Sequence, residues 1–470
     1  MSNRRGFLLQ ALSISAMLTY NKFSIAQSIS SQKNTLNQYV QYPDLSGFSK
    51  EQILEKGTLL IPSYVPDRLP LDNSHKSILI KINPTTEKVE YMPSVVRNLH
   101  GLAEATSNNP NRVKIGIGFD GNSDILDFYD SNFNFIKNRT YPEYSFRGHG
   151  VIHEGDILVT AEAQNDFKSD GFLLLMDSEG NIKKKVSSGG RRPHEIVDCG
   201  KYYAIAHYGD SPLFMRNNMT PSPQTNTNGK IDPKTTMLIG GTPIPLEEMG
   251  KSDRTINQGL TTVDNCQLAP IFDITTPGVS FINKADLSVH SFFQLPNIGR
   301  TTHLAVTENG DVIAMGINAF RGAPHQLREC SLVNKVNLLN IELSSNIWEA
   351  YVPMYQLNAD KGIVDTISAP MQEMRRGQSF TYDPLLNIVV GTFSASQEIF
   401  IRKPGSKDSF LSTLKYGVTD PRGCTMIPGT GWVAVSSNSD NVAIIDVVNE
   451  KLVKLIGVTL GQHSHCFWWM

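Results

Sequence analysis

The chain has 470 residues, of which 40% are hydrophobic and 19% charged, with a formal net charge of −2. That is ordinary globular composition, with ample material for a large core. The near-neutral balance supplies no basic surface, so nucleic acid and anionic lipid are excluded as expected partners.

The first thirty residues read as an address. Asn3-Arg4-Arg5-Gly6-Phe7-Leu8-Leu9 has the pattern of a bacterial twin-arginine signal. The apolar stretch from Ala11 to Leu18 is short and broken by serines, so it does not suit a bilayer span. Ser24-Ile25-Ala26 has the small-x-small form of a cleavage site. The expectation is a signal peptide over 1–26, read by the Tat export machinery, and a mature chain in the periplasm. A lead segment over 27–56 and a folded body over 57–470 follow. No later segment holds about 18 uninterrupted apolar residues, so no stable membrane span is expected after cleavage.

From residue 58 onward, short apolar or alternating runs recur between Gly, Asn, Asp and Pro. Examples are Val113-Lys114-Ile115-Gly116-Ile117-Gly118, Asp156-Ile157-Leu158-Val159-Thr160, Asn387-Ile388-Val389-Val390-Gly391 and Trp432-Val433-Ala434-Val435. This is strand-and-hairpin patterning.

Six segments align on one pattern, an arginine two or three places before a His, Gln or Cys, with an apolar strand after it. The pairs are Arg97 with His100, Arg147 with His149, Arg192 with His194, Arg300 with His303, Arg376 with Gln378, and Arg422 with Cys424. Successive aligned positions lie 49, 45, 109, 75 and 46 residues apart. About 45 residues is the size of one four-stranded propeller blade. The 109-residue gap holds a polar insertion at about 211–270, and the 75-residue gap a shorter one near Asn318 to Asp360. The expected fold is therefore an all-β, seven-bladed β-propeller. Blade one takes its strands from Thr58 to Tyr91 and its innermost strand from the segment Gly461 to Trp468. Pairing of the N- and C-terminal segments closes the ring and removes an exposed edge.

In a propeller the first strand of each blade lines the central channel. A ring of His100, His149, His194, His303, Gln378, Cys424 and one of His463 and His465 follows, with His463 the expected fifth histidine ligand. Converging neutral imidazoles suit a first-row transition metal such as iron or copper. Arg97, Arg147, Arg192, Arg300, Arg376 and Arg422 would form a cationic collar for an anionic ligand. The same repeat also fits a structural network, with each guanidinium tying adjacent blades through backbone carbonyls. A cationic collar raises the cost of a nearby metal cation, and Glu104, Glu162, Asp166 and Glu195 are candidates to offset it. Glu162 is placed at the channel mouth among the ligand-binding residues. Glu195 follows His194 directly, so strand alternation points it to the opposite face.

The five cysteines are odd in number and form no Cys-x-x-Cys, which argues against a disulfide framework or a cysteine zinc site. Cys424 reads either as a thiol activated by Arg422 or as a small buried apolar residue. Gly-x-Ser-x-Gly, His-Glu-x-x-His and Walker motifs are missing from the sequence.

Arg147-Gly148-His149-Gly150-Val151, Thr160-Ala161-Glu162, Ser188-Gly189-Gly190 leading to Pro193-His194-Glu195, and His303-Leu304-Ala305 resemble the domain-of-unknown-function-1513 family. The resemblance implies a Tat-exported, propeller-like protein associated with iron-uptake gene clusters. The insertion after His207 and the Cys-Phe-Trp-Trp-Met ending depart from that pattern. Three functions remain open. One is a periplasmic protein binding a transition metal or an anionic metal chelate at its channel, accessory to iron acquisition. Another is a metal-dependent oxidoreductase or hydrolase using the axial histidines. The third is a protein-interaction scaffold.

Overall fold

The structure is a computed structural model. It describes residues 45, 47–65, 69, 71, 74–109, 112–119, 123–164, 170–209, 236–239, 242–245, 261–263, 266–268, 277–295, 298, 300–317, 352–369, 373–438, 440–461 and 464–470. The expected signal peptide, Asp166 and His463 lie outside the described residues.

Among the described residues, seven antiparallel four-stranded sheets form the blades. Blade 1 joins Thr58–Tyr64, Ser77–Ile82 and Val89–Ser94 to an innermost strand, Phe467–Trp469. Blades 2 to 7 each run from inside to outside in chain order, and their innermost strands are Leu99–Ala105, Tyr144–His153, Pro193–Asp198, Arg300–Val306, Gly377–Asp383 and Cys424–Ile427. In blade 4 the strand Tyr202–His207 pairs directly with Gly278–Asn283. The long insertion therefore leaves and re-enters between the second and third strands of one blade. Within it the described residues form two small hairpins, Thr236–Ile239 with Thr242–Pro245 and Thr261–Val263 with Cys266–Leu268.

Burial explains why the sheets stand radially. Second strands such as Val113–Gly118, Tyr202–His207 and Val312–Ile317 are buried throughout, because both faces of each sheet meet a neighbouring blade. Outer strands such as Phe135–Thr140 and Ile182–Ser187 are largely exposed. The apolar side chains segregate into seven layers, one between each adjacent pair of blades. The layer between blades 7 and 1 packs Ile427, Trp432 and Ile444 against Ile61, Ile78 and Ile80. The helix Lys50–Lys56, started by a Ser49–Gln52 capping box, adds Ile53 to that layer. Aspartates that end third strands organise the next turn: Asp130, Asp177 and Asp446 each accept backbone N–H groups from residues two to four further on.

The ring closes through the C-terminal segment. Leu59 pairs with Trp468 and Leu60 with Phe467. Ahead of this strand, Gly461 N donates to Ser63 Oγ at 2.9 Å, and Ser436 Oγ on blade 7 donates to Ser464 O at 2.9 Å. Ser464 Oγ lies 3.0 Å from Ser63 Oγ. One segment thus bridges the first and last blades. Among the described residues, no helix is long and apolar enough to cross a membrane.

Neighbouring inner strands crowd at the axis. A Cβ on Gly101 would lie 1.8 Å from the carbonyl oxygen of Gly148 on the next blade. That neighbour is backbone and cannot rotate away. Gly101→Ala is expected to lower unfolding free energy by about 2 kcal/mol or more through overpacking. Urea unfolding of the purified variant checks this, and an unchanged midpoint would contradict the close approach.

Candidate metal centre

A β-bulge interrupts the innermost strand of every blade from 2 to 6. The register shifts between Leu99 and Gly101, Phe146 and Gly150, Pro193 and Ile196, Thr301 and His303, and Gly377 and Ser379. A bulge leaves residues unpaired and re-aims their side chains. The residues in or beside these bulges are His100, His149, His194 with Glu195, His303 and Gln378. Backbone of unusual sign accompanies them: φ is 54° at Asn98, 96° at Gly148, 54° at Arg192 and 60° at Arg376. Gly148 is required twice over, since a Cβ there would also meet the His100 ring at 2.6 Å.

Among the described residues the bulges gather four imidazoles, and the closing segment adds a fifth. His100 lies 5.0 Å from His149, 5.1 Å from His194 and 4.0 Å from His465 between ring centroids. His303 lies 5.2 Å from His194 and 5.0 Å from His465. All five rings are buried. His465, carried by the closing segment, supplies the fifth ring. Three sets of donors have their ligating atoms within 4.8 Å of one another: His100, His149 and His194; His100, His303 and His465; and His149, Glu195 and His303. These buried triads can hold a metal ion.

Glu195 corrects the strand-alternation expectation. The bulge between Pro193 and Ile196 breaks the period of two, so His194 and Glu195 both reach the cluster. A Glu195 carboxylate oxygen lies 3.3 Å from His303 Nδ1 and accepts the Leu304 backbone N–H at 2.5 Å. The other carboxylates are engaged elsewhere. Glu104 pairs with Lys114 and Arg112 on blade 2, and Glu162 pairs with Arg147 at 3.3 Å.

The donor chemistry fits a transition metal. Burial pushes the His149 ring down to about 4, with Glu195 opposing and His303 adding to the shift. His100 and His194 are held well below the usual imidazole range, first by burial and then by the neighbouring histidines. These three rings are neutral at neutral pH and keep a lone pair for a cation. His194 Nδ1 lies 2.8 Å from the Arg147 carbonyl. A carbonyl only accepts, so Nδ1 carries the proton and Nε2 is left to ligate. His100 Nε2 and His149 Nε2 are buried and have no hydrogen-bond partner among the described residues. Orphaned ring nitrogens are costly unless something is bound there.

The described contacts place the arginines in two groupings. Arg147, Arg192 and Arg300 converge on the ring of Tyr208, with guanidinium carbons 5.5, 6.0 and 4.7 Å from its centroid. Tyr208 in turn lies 4.7 Å from His194. Across the axis, Arg422 donates to Gln378 Oε1 at 2.7 Å and pairs with Asp420 at 3.4 Å. Burial, then the charge of Arg376, lowers its guanidinium to about 10. This contact does tie blades 6 and 7 together. Arg97 is exposed. Phe119 and Tyr208, which follow the second strands of blades 2 and 4, pack on His194 and were not singled out in the sequence. Cys424 is buried and burial raises its thiol strongly, so it is no activated nucleophile.

No family model matches the chain, and no curated protein matches it. The family resemblance drawn from His100 to His194 therefore carries no family assignment. Solved structures do match. A periplasmic gluconolactonase from Pseudomonas aeruginosa is similar with a TM-score of 0.50 at 10% identity, over 88% of this chain and 99% of that one. A crystal structure described as a putative 6-phosphogluconolactonase from Bacteroides fragilis scores 0.49 at 10% identity, over 88% and 98%. At such identity the first likeness shows the fold alone: this chain is a seven-bladed β-propeller with a buried histidine cluster at its axis.

Proposed function

We propose that this protein is a periplasmic β-propeller that holds a transition metal, iron or copper, at its axis. One observation carries the reading: five buried imidazoles and one carboxylate converge, and ring nitrogens among them are orphaned. Imidazole suits iron, copper, nickel and zinc, and the added carboxylate favours a harder ion such as iron. His100, His149, His194, His303, His465 and Glu195 would hold it, with the Arg147 carbonyl orienting His194. The bound ion would supply Lewis acidity or a redox centre. The twin-arginine pattern supports export of the folded chain. The resemblance to proteins encoded beside iron-uptake genes supports iron-uptake proteins as partners.

Elemental analysis of the natively exported protein tests the reading. One transition metal is expected near stoichiometric amount, falling to trace when His149 and His194 are both changed to Ala. A metal-stripped wild type, reloaded with iron(II) or copper(II), should regain thermal stability, since an ion that binds only the folded state stabilises it. Trace metal in the exported protein, together with no stabilisation by either ion, would end the proposal.

A further inference from the structure

The three arginines around Tyr208 define a second site, next to the histidines but built of different chemistry. Arg147 is fully buried, and Arg192 is 2% exposed. Burying guanidinium groups side by side costs several kcal/mol per uncompensated charge, on the order of the penalties found for buried ions. On Arg147 the opposing charge is Glu162, which meets one nitrogen, Nη1, at 3.3 Å. Arg147 Nε and Nη2 are buried and have no hydrogen-bond partner among the described residues. Those two nitrogens lie on one edge of the guanidinium fork, the edge that matches two oxygens of a carboxylate or phosphate.

The surroundings fix that fork in place. Phe119 lies 5.0 Å from the Arg147 guanidinium, and Tyr208 lies 5.5 Å from it. Arg300 reaches the same tyrosine from blade 5, and Arg192 from blade 4. Three blades thus contribute one arginine each to one aromatic ring. On the far side of the axis Arg422 has both terminal nitrogens engaged, Nη1 with Gln378 and Nη2 with Asp420, and its Nε is without a hydrogen-bond partner among the described residues. Arg147 instead presents two free donors in a positively charged, water-poor environment. There an anion gains far more than it would at the surface.

We infer that Arg147, Arg192 and Arg300 bind a small oxyanion, a carboxylate or a phosphate-type group, against Tyr208. The site does not need the metal. Because the Tyr208 ring also packs on His194, the anion sits one aromatic ring away from the histidine cluster. A ligand that carries an acid group and a metal-seeking atom would span both sites.

Thermal shift and calorimetric titration test this on the whole exported protein, at ionic strength matched with sodium chloride. The probes are inorganic phosphate, sulfate, acetate and citrate, each run with metal-stripped and metal-loaded protein. Saturable binding of at least one probe is expected in both forms. Phosphate and sulfate against acetate and citrate separates the two oxyanion classes. Arg300→Met is expected to weaken binding by about tenfold or more, the usual cost of losing a charged hydrogen-bond partner. The double variant R147M with E162Q removes the buried pair together, so no lone carboxylate is left to unfold the blade, and should do the same. Arg402→Met, which breaks an outer pair with Asp408, should leave binding unchanged. Absence of saturable binding of all four probes, or equal affinity in the wild type and both site variants, would overturn the inference. Loss of anion binding in a protein that still takes up metal would leave the metal reading standing.

Discussion

A chain cut after Val458 is expected not to fold into the ring at all. The cut removes the innermost strand of blade 1 and leaves Leu59 and Leu60 without their partners Trp468 and Phe467. It removes the buried side chains of Leu460 and Cys466 from the layer between blades 7 and 1. Each large apolar side chain fully buried is worth about 1.5–3 kcal/mol, and the layer also loses cover from Trp468. Trp469 goes too, whose ring lies 3.8 Å from Lys114 Nζ and 5.5 Å from Phe133 on blade 2. The sum is comparable to the whole stability of a typical domain, on the order of 5–15 kcal/mol. The readouts are soluble yield, near-ultraviolet circular dichroism and a melting transition. A truncated protein that expressed and melted like the full chain would show that Phe467–Trp469 does not close the propeller.

Acidification should destabilise the protein, and one part of that loss can be assigned to a residue outside the donor cluster. His207 is fully buried on blade 4 and stands outside the donor cluster. Its Nε2 lies 2.8 Å from Ser280 Oγ and 3.1 Å from the Ser188 carbonyl, and its Nδ1 lies 3.3 Å from the Arg191 carbonyl. Burial lowers the ring from 6.5 to about 4, and the two backbone contacts only partly oppose this. The folded state therefore binds the proton more weakly than the unfolded chain. Stability from this residue is complete above the unfolded value and is lost as pH falls from about 6.5 to about 4. The loss amounts to about 3 kcal/mol. Urea unfolding across that window, on metal-stripped protein, measures it. His207→Gln should flatten the slope by about that amount, whatever it does to stability at neutral pH. A variant with an unchanged pH slope would contradict the assignment.

Much of the architecture was legible because propeller information is local and repeated. The aligned Arg–x–His segments mark where each channel strand begins, and the 45-residue spacing leaves room for four strands. Even the closing strand was readable, since Phe467-Trp468-Trp469 is too apolar to be left in solvent. The site was legible as four histidines, and less so beyond them. Gln378 and Cys424 share the repeat, yet Gln378 accepts from Arg422 and Cys424 is buried. Glu195 was misread because alternation holds only in a regular ladder, and a bulge is invisible to a period-two argument. The choice between His463 and His465 depended on where the last strand begins, which two neighbouring histidines do not reveal. Tyr208 carried a faint signal, since it occupies the same place after its second strand as Phe119 does in blade 2.

The closing segment does two jobs with one stretch of chain. Gly461 and Ser464 latch the first blade to the last, and His465, beside them, completes the donor cluster. During synthesis the six preceding blades can assemble while His100, His149, His194 and His303 are already present. The fifth imidazole arrives only when that segment has left the ribosome and docked. On the proposed reading, full coordination would be a checkpoint on translation: an ion held by all the ligands would certify that the closing strand has been made and docked.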